Sequence, residues 1–290
     1  MSYAQNVVKD YENGDHYEGI MRDGLRHGKG TLTYKNGNVY TGAFVNDYAE
    51  GKGTLVYKSG TTYTGEFKKG RYWGKGKLMM SNNCTIEGTF EDGQPEGQCT
   101  AIDSVGTTYK CNYHLGEMDG YGTMLVTKGP FKGTTYKGYF KRSRFNGHGV
   151  FDCNDGTHYE GNYINGYPAG IGKGHFVYSD CELDYEGELQ EGKFHGEGKL
   201  TYTTGNWKGI SYEGEFRIGS FHGSGTMYLP DKRKIVGTWL KGEMNGKMTE
   251  FYPDGSYKAY LYENGKYIKD WEDNETPNQS SEHEAPITLD

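Results

Sequence analysis

No stretch of this 290-residue chain approaches the roughly 20 consecutive apolar residues that a membrane helix needs, so no transmembrane segment is expected. Hydrophobic residues make up only 33% of it and mean hydropathy is −0.88, less apolar than a globular enzyme core usually demands. Cysteine is sparse and odd in number (Cys84, Cys99, Cys111, Cys153 and Cys181), with no Cys-x-x-Cys. That argues against a disulfide framework and against a zinc ribbon, and makes a reducing, cytoplasmic setting the expectation. The start of the chain shows no apolar signal core. Gly-x-Ser-x-Gly, a P-loop and His-Glu-x-x-His are all missing, which removes the commonest catalytic signatures and leaves no catalytic residue, cofactor or metal ligand to name. Basic residues form no stripe, so nucleic acid is not an expected partner. Of the net charge of −7, all is carried by residues 270–290, which hold seven acids and no Lys or Arg.

What the chain has instead is 27 Tyr and 47 Gly. A disordered chain would lack the aromatics. A Tyr-x-Gly-x-aromatic unit begins at Tyr17, Tyr40, Tyr63, Ile86, Tyr109, Tyr136, Tyr159, Tyr185, Tyr212 and Ile235, mostly 23 residues apart. A fixed period of this length marks a stacked array rather than a closed globule. Within 17–39, Tyr17, Gly19 and Met21 alternate with Glu18 and Ile20; Gly28, Gly30, Leu32 and Tyr34 alternate with Lys29, Thr31 and Thr33. Both runs have the period of two that marks a strand. Arg22 to His27 reads as a turn, and Lys35-Asn36-Gly37-Asn38 is a hairpin signal. Each repeat is therefore expected to be one β-hairpin, and the whole an antiparallel meander of about 20 strands with almost no helix.

Counting Tyr17 as position 1, position 12 is Gly in all ten repeats, position 3 in nine and positions 8 and 14 in eight each. These glycines are expected to make room for the rings at positions 1 and 5 on neighbouring strands. Positions 1, 3, 5, 12, 14, 16 and 18 should share one face, so that Tyr40, Phe44, Leu55 and Tyr57 are more buried than Thr41, Thr54 and Val56. A three-residue hairpin loop sets Gly30 opposite Gly42; three periods later the same two places hold Cys99 and Cys111, which should be cross-strand neighbours. They would lie near disulfide reach, but a reducing setting favours two thiols filling the space of a ring. His27, His195 and His222 all fall at position 11, which makes them repeat residues rather than a catalytic set.

The pattern resembles the MORN repeat (membrane occupation and recognition nexus), carried here by YEGIMRDGLRHGKG, YTGEFKKGRYWGKG, YEGELQEGKFHGEG and YEGEFRIGSFHGSG. The resemblance implies an all-β fold: an elongated, single-layer antiparallel β-meander solenoid of about ten MORN hairpin repeats. Residues 1–16 then form a partial N-terminal capping repeat, 17–257 ten repeats, 258–271 closing strands and 272–290 an acidic disordered tail. It implies use as a scaffold but not one function, since such arrays occur in radial-spoke head proteins, junctophilins, plant phosphatidylinositol-phosphate kinases and a SET-domain lysine methyltransferase; the expectation of a non-catalytic scaffold rests on the missing motifs.

The expected function is protein interaction in the cytoplasm, at the cytoskeleton or in the axoneme of a cilium, with a helix or extended peptide held in an aromatic groove. Tyr63, Phe67, Tyr136, Phe140, Tyr159 and Tyr163 are the candidates for that groove; packing of the same rings on neighbouring glycines is the competing expectation. Two alternatives stand beside it. One is an adaptor touching anionic lipid through the basic clusters Lys68, Lys69, Arg71; Lys141, Arg142, Arg144; and Lys232, Arg233, Lys234. The other is a regulatory subunit of a separate enzyme.

Overall fold

A computed structural model describes residues 4–272. Among them are 23 strands, joined by short turns, and no helix. The chain divides into two units, one running to Tyr178 and including Leu189–Gly192, the other made of Ser179–Glu188 and the residues from Lys193 on. In the first, 15 strands from Gln5–Asp10 to Tyr167–Val177 pair in sequence order, each antiparallel to the next. In the second, the seven strands from Lys193–Tyr202 to Lys266–Asp270 do the same. The all-β antiparallel meander read from the repeat is the fold. The acidic stretch after Glu272 lies outside the described residues.

Each repeat is built from two tight turns and one bulge. At the first turn, positions 7 and 8 both take positive φ, as in Asp23 (52°) and Gly24 (76°). That is the two-residue turn whose twist matches the flanking strands. The strand therefore resumes at Leu25, so the expected turn over Arg22 to His27 shrinks to two residues and position 11 lies in a strand. The turn amide of each repeat also bonds back to the position-10 carbonyl of the repeat before it, as Gly70 N does to Ala49 O at 2.9 Å.

Position 12 is where the expectation about glycine fails. Gly28, Gly51, Gly74 and their equivalents all have positive φ, from 52° to 114°. A Cβ on Gly51 or Gly97 would meet nothing within 4 Å, so the constraint there is backbone conformation, not space. The left-handed residue creates a bulge: Gly19 pairs with Gly30, but the next aligned pair is Met21 with Arg26. The glycines at positions 3 and 14 do make room for rings. A Cβ on Gly76 would lie 2.2 Å from Tyr63 Oη, and one on Gly42 2.5 Å from Tyr40 Oη.

The bulge takes position 4 out of the ladder, and the tyrosine at position 1 restores a partner to its carbonyl. Tyr17 donates to Ile20 O at 2.8 Å, Tyr40 to Ala43 O at 2.9 Å, Tyr136 to Tyr139 O at 2.9 Å and Tyr185 to Glu188 O at 2.7 Å. A buried phenol thus satisfies a backbone group that the fold itself would leave unpaired. The faces divide as expected: Tyr40 and Phe44 are buried while Thr41 and Val56 are exposed. Leu55, Tyr57 and Thr54 are all half-buried, so the contrast is weaker on the returning strand. The hairpin register is also as read, with Gly30 opposite Gly42 and Cys99 opposite Cys111. Both thiols are free.

Three repeats break the tyrosine–glycine rule, and two of them do so in a compensated way. Ile86 and Ile235 stand where position 1 is otherwise tyrosine. In those same repeats position 14 is Cys99 and Met248 rather than glycine, and each sulfur lies over the surviving position-3 glycine, where a Cβ on Gly88 or Gly237 would come within 2.4 Å of it. Cys99 Sγ also lies 3.7 Å from Thr89 O and 3.8 Å from Glu96 O. Those are the carbonyls of positions 4 and 11 that Tyr63 Oη reaches in its own repeat, Glu66 O at 3.1 Å and Trp73 O at 3.4 Å. The thiol occupies the place of the phenol.

Candidate functional site

The six rings expected to line a groove are instead the packing layer. Tyr63, Phe67, Tyr136, Phe140, Tyr159 and Tyr163 are each at most 4% exposed. Phe67 and Tyr163 each set an edge against the tyrosine of their own repeat and that of the repeat before, and Phe140 against its own Tyr136 at 5.3 Å. Phe67 meets Tyr63 at 5.2 Å and Tyr40 at 4.9 Å, and Tyr163 meets Tyr159 and Tyr136 at 5.4 Å. A ring at position 10 then stacks flat on the tyrosine, as Tyr72 does on Tyr63 at 3.7 Å and Phe145 on Tyr136 at 3.7 Å. Edge-to-face and offset pairs of this kind each add about 0.5–1.5 kcal/mol beyond the area they bury. Burial pushes the phenols of Tyr40, Tyr63 and Tyr159 up to about 12, so these hydroxyls remain neutral donors to backbone. They are structural groups with no open side to a ligand.

The solvent side of this ring face is formed by the residues around that layer. Tyr11, Tyr34 and Tyr57 recur at one position, 23 residues apart, and are half-buried. Tyr57 Oη and Tyr72 Oη lie 2.7 Å apart. Arg26 lies beneath Tyr11, its guanidinium carbon 5.8 Å from that ring and 5.5 Å from Phe44, and is fixed by Asp47 at 3.0 Å. The 23-residue period was the available signal for this tyrosine row; its alternation placed it on the ring face, but the consensus drew attention to positions 1 and 5, which are filled inward.

Two other surface features stand out in the first unit. Lys68, Lys69 and Arg71, and likewise Lys141, Arg142 and Arg144, occupy positions 6, 7 and 9 of their repeats and surround first-turn tips. Arg71 is paired with Asp92 at 3.2 Å, whereas the second cluster borders a shallow depression with Glu117, Asn146 and Asn165. The lengthened loop 127–134 raises Phe131 to 61% exposure, and in the second unit the loop 203–210 raises Trp207 to 52%. Both loops read Gly-x-aromatic-Lys-Gly, Gly129 to Gly133 and Gly205 to Gly209. Their hydrogen bonds are the same: Lys132 N to Gly129 O, and Lys208 N to Gly205 O, each at 3.2 Å. The extra length was visible in the sequence, but the shared motif emerges only when the two loops are aligned by their bonding.

Among the described residues there is no group of three His, Cys, Asp or Glu that could hold a metal ion, and no helix long and apolar enough to cross a membrane. Of the position-11 histidines, His27 Nδ1 is buried without a hydrogen bond.

The family model described as MORN repeat matches nine stretches: 17–39, 40–62, 63–85, 87–108, 136–158, 159–180, 185–207, 212–232 and 236–257. Apart from its first two residues, the hairpin Thr107–His114/Glu117–Val126, where Cys111 replaces the position-3 glycine, falls between the fourth match and the fifth. Solved structures with some likeness are distant. A SAS-4 (dCPAP) TCP domain in complex with a proline-rich motif of Ana2 (dSTIL), from Drosophila melanogaster, is 13% identical over 54% of this chain and 86% of that one, with a TM-score of 0.33. A streptogramin B lyase is 12% identical over 91% and 87% with a TM-score of 0.16, and a virginiamycin B lyase from Staphylococcus aureus 9% identical over 90% and 88% with a TM-score of 0.15.

Proposed function

The chain belongs to the MORN-repeat family, a family of non-catalytic interaction scaffolds for proteins or membranes, and from that premise we propose that it is a protein-binding scaffold of the cytoskeleton or of an axoneme. One observation supports this above the rest. The most regular polar groups of the ring layer, the seven position-1 phenols bonded to position-4 carbonyls, are used up in holding the repeat together. Function is left to surfaces. The ring face offers the Tyr11–Tyr34–Tyr57 row, whose half-buried rings present both an apolar edge and a hydroxyl, the combination that suits a partner helix or extended segment. The cytoskeletal setting follows by analogy with the radial-spoke members of the family.

The basic tips favour a second reading. Two three-cation clusters at the same repeat positions, 6, 7 and 9, are suited to anionic lipid headgroups. One pair of experiments separates the two. The full chain carrying Tyr34→Ser and Tyr57→Ser should lose proteins that the wild type captures by proximity labelling in its native cell, and should float with phosphoinositide liposomes no differently from wild type. Flotation that is strong in the wild type and abolished by Lys141→Glu with Arg144→Glu, with protein capture untouched by the tyrosine changes, would replace the scaffold reading by the membrane one.

A further inference from the structure

The face opposite the rings carries a groove that the repeat builds by default. Positions 3 and 14 are glycine and their missing side chains would point to the ring face, so on the other face a row of bare backbone runs across the strands. In the first unit this floor follows the register pairs Gly19–Gly30–Gly42–Gly53–Gly65–Gly76–Gly88. One wall is formed by hydroxyls, with Thr31 and Thr41 bonded at 3.2 Å and Thr54 and Thr64 at 3.2 Å. The other wall bears Lys29, Lys52 and Lys75, one from each of three successive repeats, all exposed and none in an ion pair with a described residue. Depressions are lined by Lys29, Gly30, Thr31 and Lys52 at one end and by Thr64, Lys75, Gly76 and Lys77 at the other.

The acids nearby do not neutralise these lysines. Glu66, the register partner of Lys52, leans outward over the bulge, where a Cβ on Gly74 would lie 2.3 Å from its Oε2. Glu87 is taken by Lys77 at 3.1 Å. Glu18 bonds His16 at 3.1 Å at the groove's end.

Resting on the scaffold reading, we propose that this groove binds an extended partner segment with an acidic side chain at every third residue, in the polyproline II conformation. The argument is one of spacing. Lys29, Lys52 and Lys75 stand on strands two apart, and two inter-strand separations are about 9.6 Å. A polyproline II helix repeats every three residues at about 3.1 Å each, or about 9.3 Å, and returns its side chain to the same side each time. A β-strand ligand would turn every third side chain to the opposite face. Such a segment, lying across the strands rather than along an edge, places three carboxylates on the lysine wall and its carbonyls beside the threonine hydroxyls. The charge it needs is negative, opposite to the wall's.

The test uses the full chain and a fluorescein-labelled, acetylated (Glu-Pro-Pro)5 peptide, read by anisotropy at low salt. Saturable binding is expected, weakened about tenfold by Lys29→Gln, Lys52→Gln and Lys75→Gln together, and unaffected by Lys35→Gln with Lys58→Gln. The peptide (Gln-Pro-Pro)5 should not bind, and (Glu-Pro)5, with the same charge in the wrong register, should bind several-fold more weakly. Absence of binding at millimolar peptide, equal binding by the triple variant, or equal binding of (Glu-Pro)5 overturns the proposal. The lysines are exposed, so an unchanged circular dichroism spectrum confirms that the variant is folded. Partner capture that survives while the peptide fails sinks the groove alone; loss of all protein capture sinks the scaffold reading beneath it.

Discussion

Ile86 and Cys99 should behave as one unit, and a double-mutant cycle can show it. In the native repeat, Cys99 is 4% exposed and its sulfur fills the site over Gly88 that a tyrosine ring occupies elsewhere. Cys99→Gly alone removes a buried thiomethyl group, about 1 kcal/mol of transfer, and adds about 0.5–1 kcal/mol of glycine backbone entropy. Its cost should be about 2 kcal/mol. Ile86→Tyr alone drives a phenol into space already holding a sulfur, an overpacking cost of about 1–3 kcal/mol. If the two were independent, the double variant would lose about 4 kcal/mol. Instead it rebuilds an arrangement the protein already contains. Repeat 159–180 has Tyr159 over Gly161 and Gly172 with Pro168 at position 10, and Pro95 stands at position 10 beside Ile86's strand, buried. The new phenol finds Thr89 O, the carbonyl the thiol now faces, a hydrogen bond worth about 1 kcal/mol. The double variant should therefore lie within about 1 kcal/mol of wild type, a coupling of about 3 kcal/mol. Urea unfolding followed by circular dichroism and tyrosine fluorescence measures all four corners. Additivity within about 0.5 kcal/mol would refute the idea that the thiol replaces the phenol.

Three further outcomes follow from the same geometry. Gly76→Ala should cost more than Gly51→Ala: the first puts a methyl 2.2 Å from Tyr63 Oη and evicts a buried ring, about 2–4 kcal/mol, whereas the second meets open space and carries only the left-handed penalty of about 1 kcal/mol at φ 71°. Equal urea midpoints for the two would contradict the division of glycine roles. In native protein at pH 8, iodoacetamide should label half-buried Cys84 and Cys153 well before Cys111, whose thiol burial pushes up to about 11, and before buried Cys99; mass spectrometry of a time course reads the order, and early modification at Cys111 would show that its layer opens. Hydrogen bonds to Asp10 (2.6 Å) and Glu18 (3.1 Å) favour the protonated form of His16 and raise its pKa above 6.5. Its stabilising contribution is thus complete below about pH 6.5 and lost as pH rises through the raised folded value. Thermal midpoints at pH 5.5 and 8.5 should converge between wild type and His16→Gln at the higher pH, and a gap that widens there would reverse the assignment.

How far the sequence could be read depended on whether a constraint was local. Alternation within 17–39 and the 23-residue period were enough for strands, hairpins and the pairing of Cys99 with Cys111, because register in a meander follows from loop length and the side-chain period of two. The glycines look alike in sequence but do three different jobs. Gly28 is glycine because its φ is 63°, Gly24 because it closes a two-residue turn at φ 76°, and Gly30 because Tyr17 lies on it. Composition cannot separate these, since each removes the same atom. Asp47 and Ser143 show the difference from the other side: at position 8 a non-glycine is tolerated because the turn has room, and each then bonds the preceding repeat, Asp47 Oδ1 accepting from Arg26 N at 2.9 Å and Ser143 Oγ from Met118 N at 3.1 Å.

The surface was less legible for a related reason. An aromatic consensus attracts a binding interpretation, yet in a sheet one layer thick the most regular rings are the ones the fold cannot do without. Tyr63, Tyr136 and Tyr159 recur because each must cover two glycines, and Phe67, Phe140 and Tyr163 because they pack edge-on against those tyrosines; that demand leaves all six at most 4% exposed. Residues free to meet a partner are those the packing leaves unconstrained: half-buried Tyr34 and Tyr57 at the margin of the ring layer, and Lys29, Lys52 and Lys75 on the face behind it. Their spacing is inherited from the hairpin, not selected by the core. A repeat scaffold of this kind can therefore change partners by altering position 13 or position 18 while position 1 stays fixed. Repeat 109–135 is an instance: position 13 there is Tyr121, exposed and set edge-on against Tyr139 at 5.3 Å, in place of the lysine that three earlier repeats carry. The lysine wall has already ended one repeat earlier, where position 13 is Gln98, bonded to Asn112 at 2.7 Å, and a segment chosen by its negative charge should find its register on Lys29 to Lys75 and not beyond.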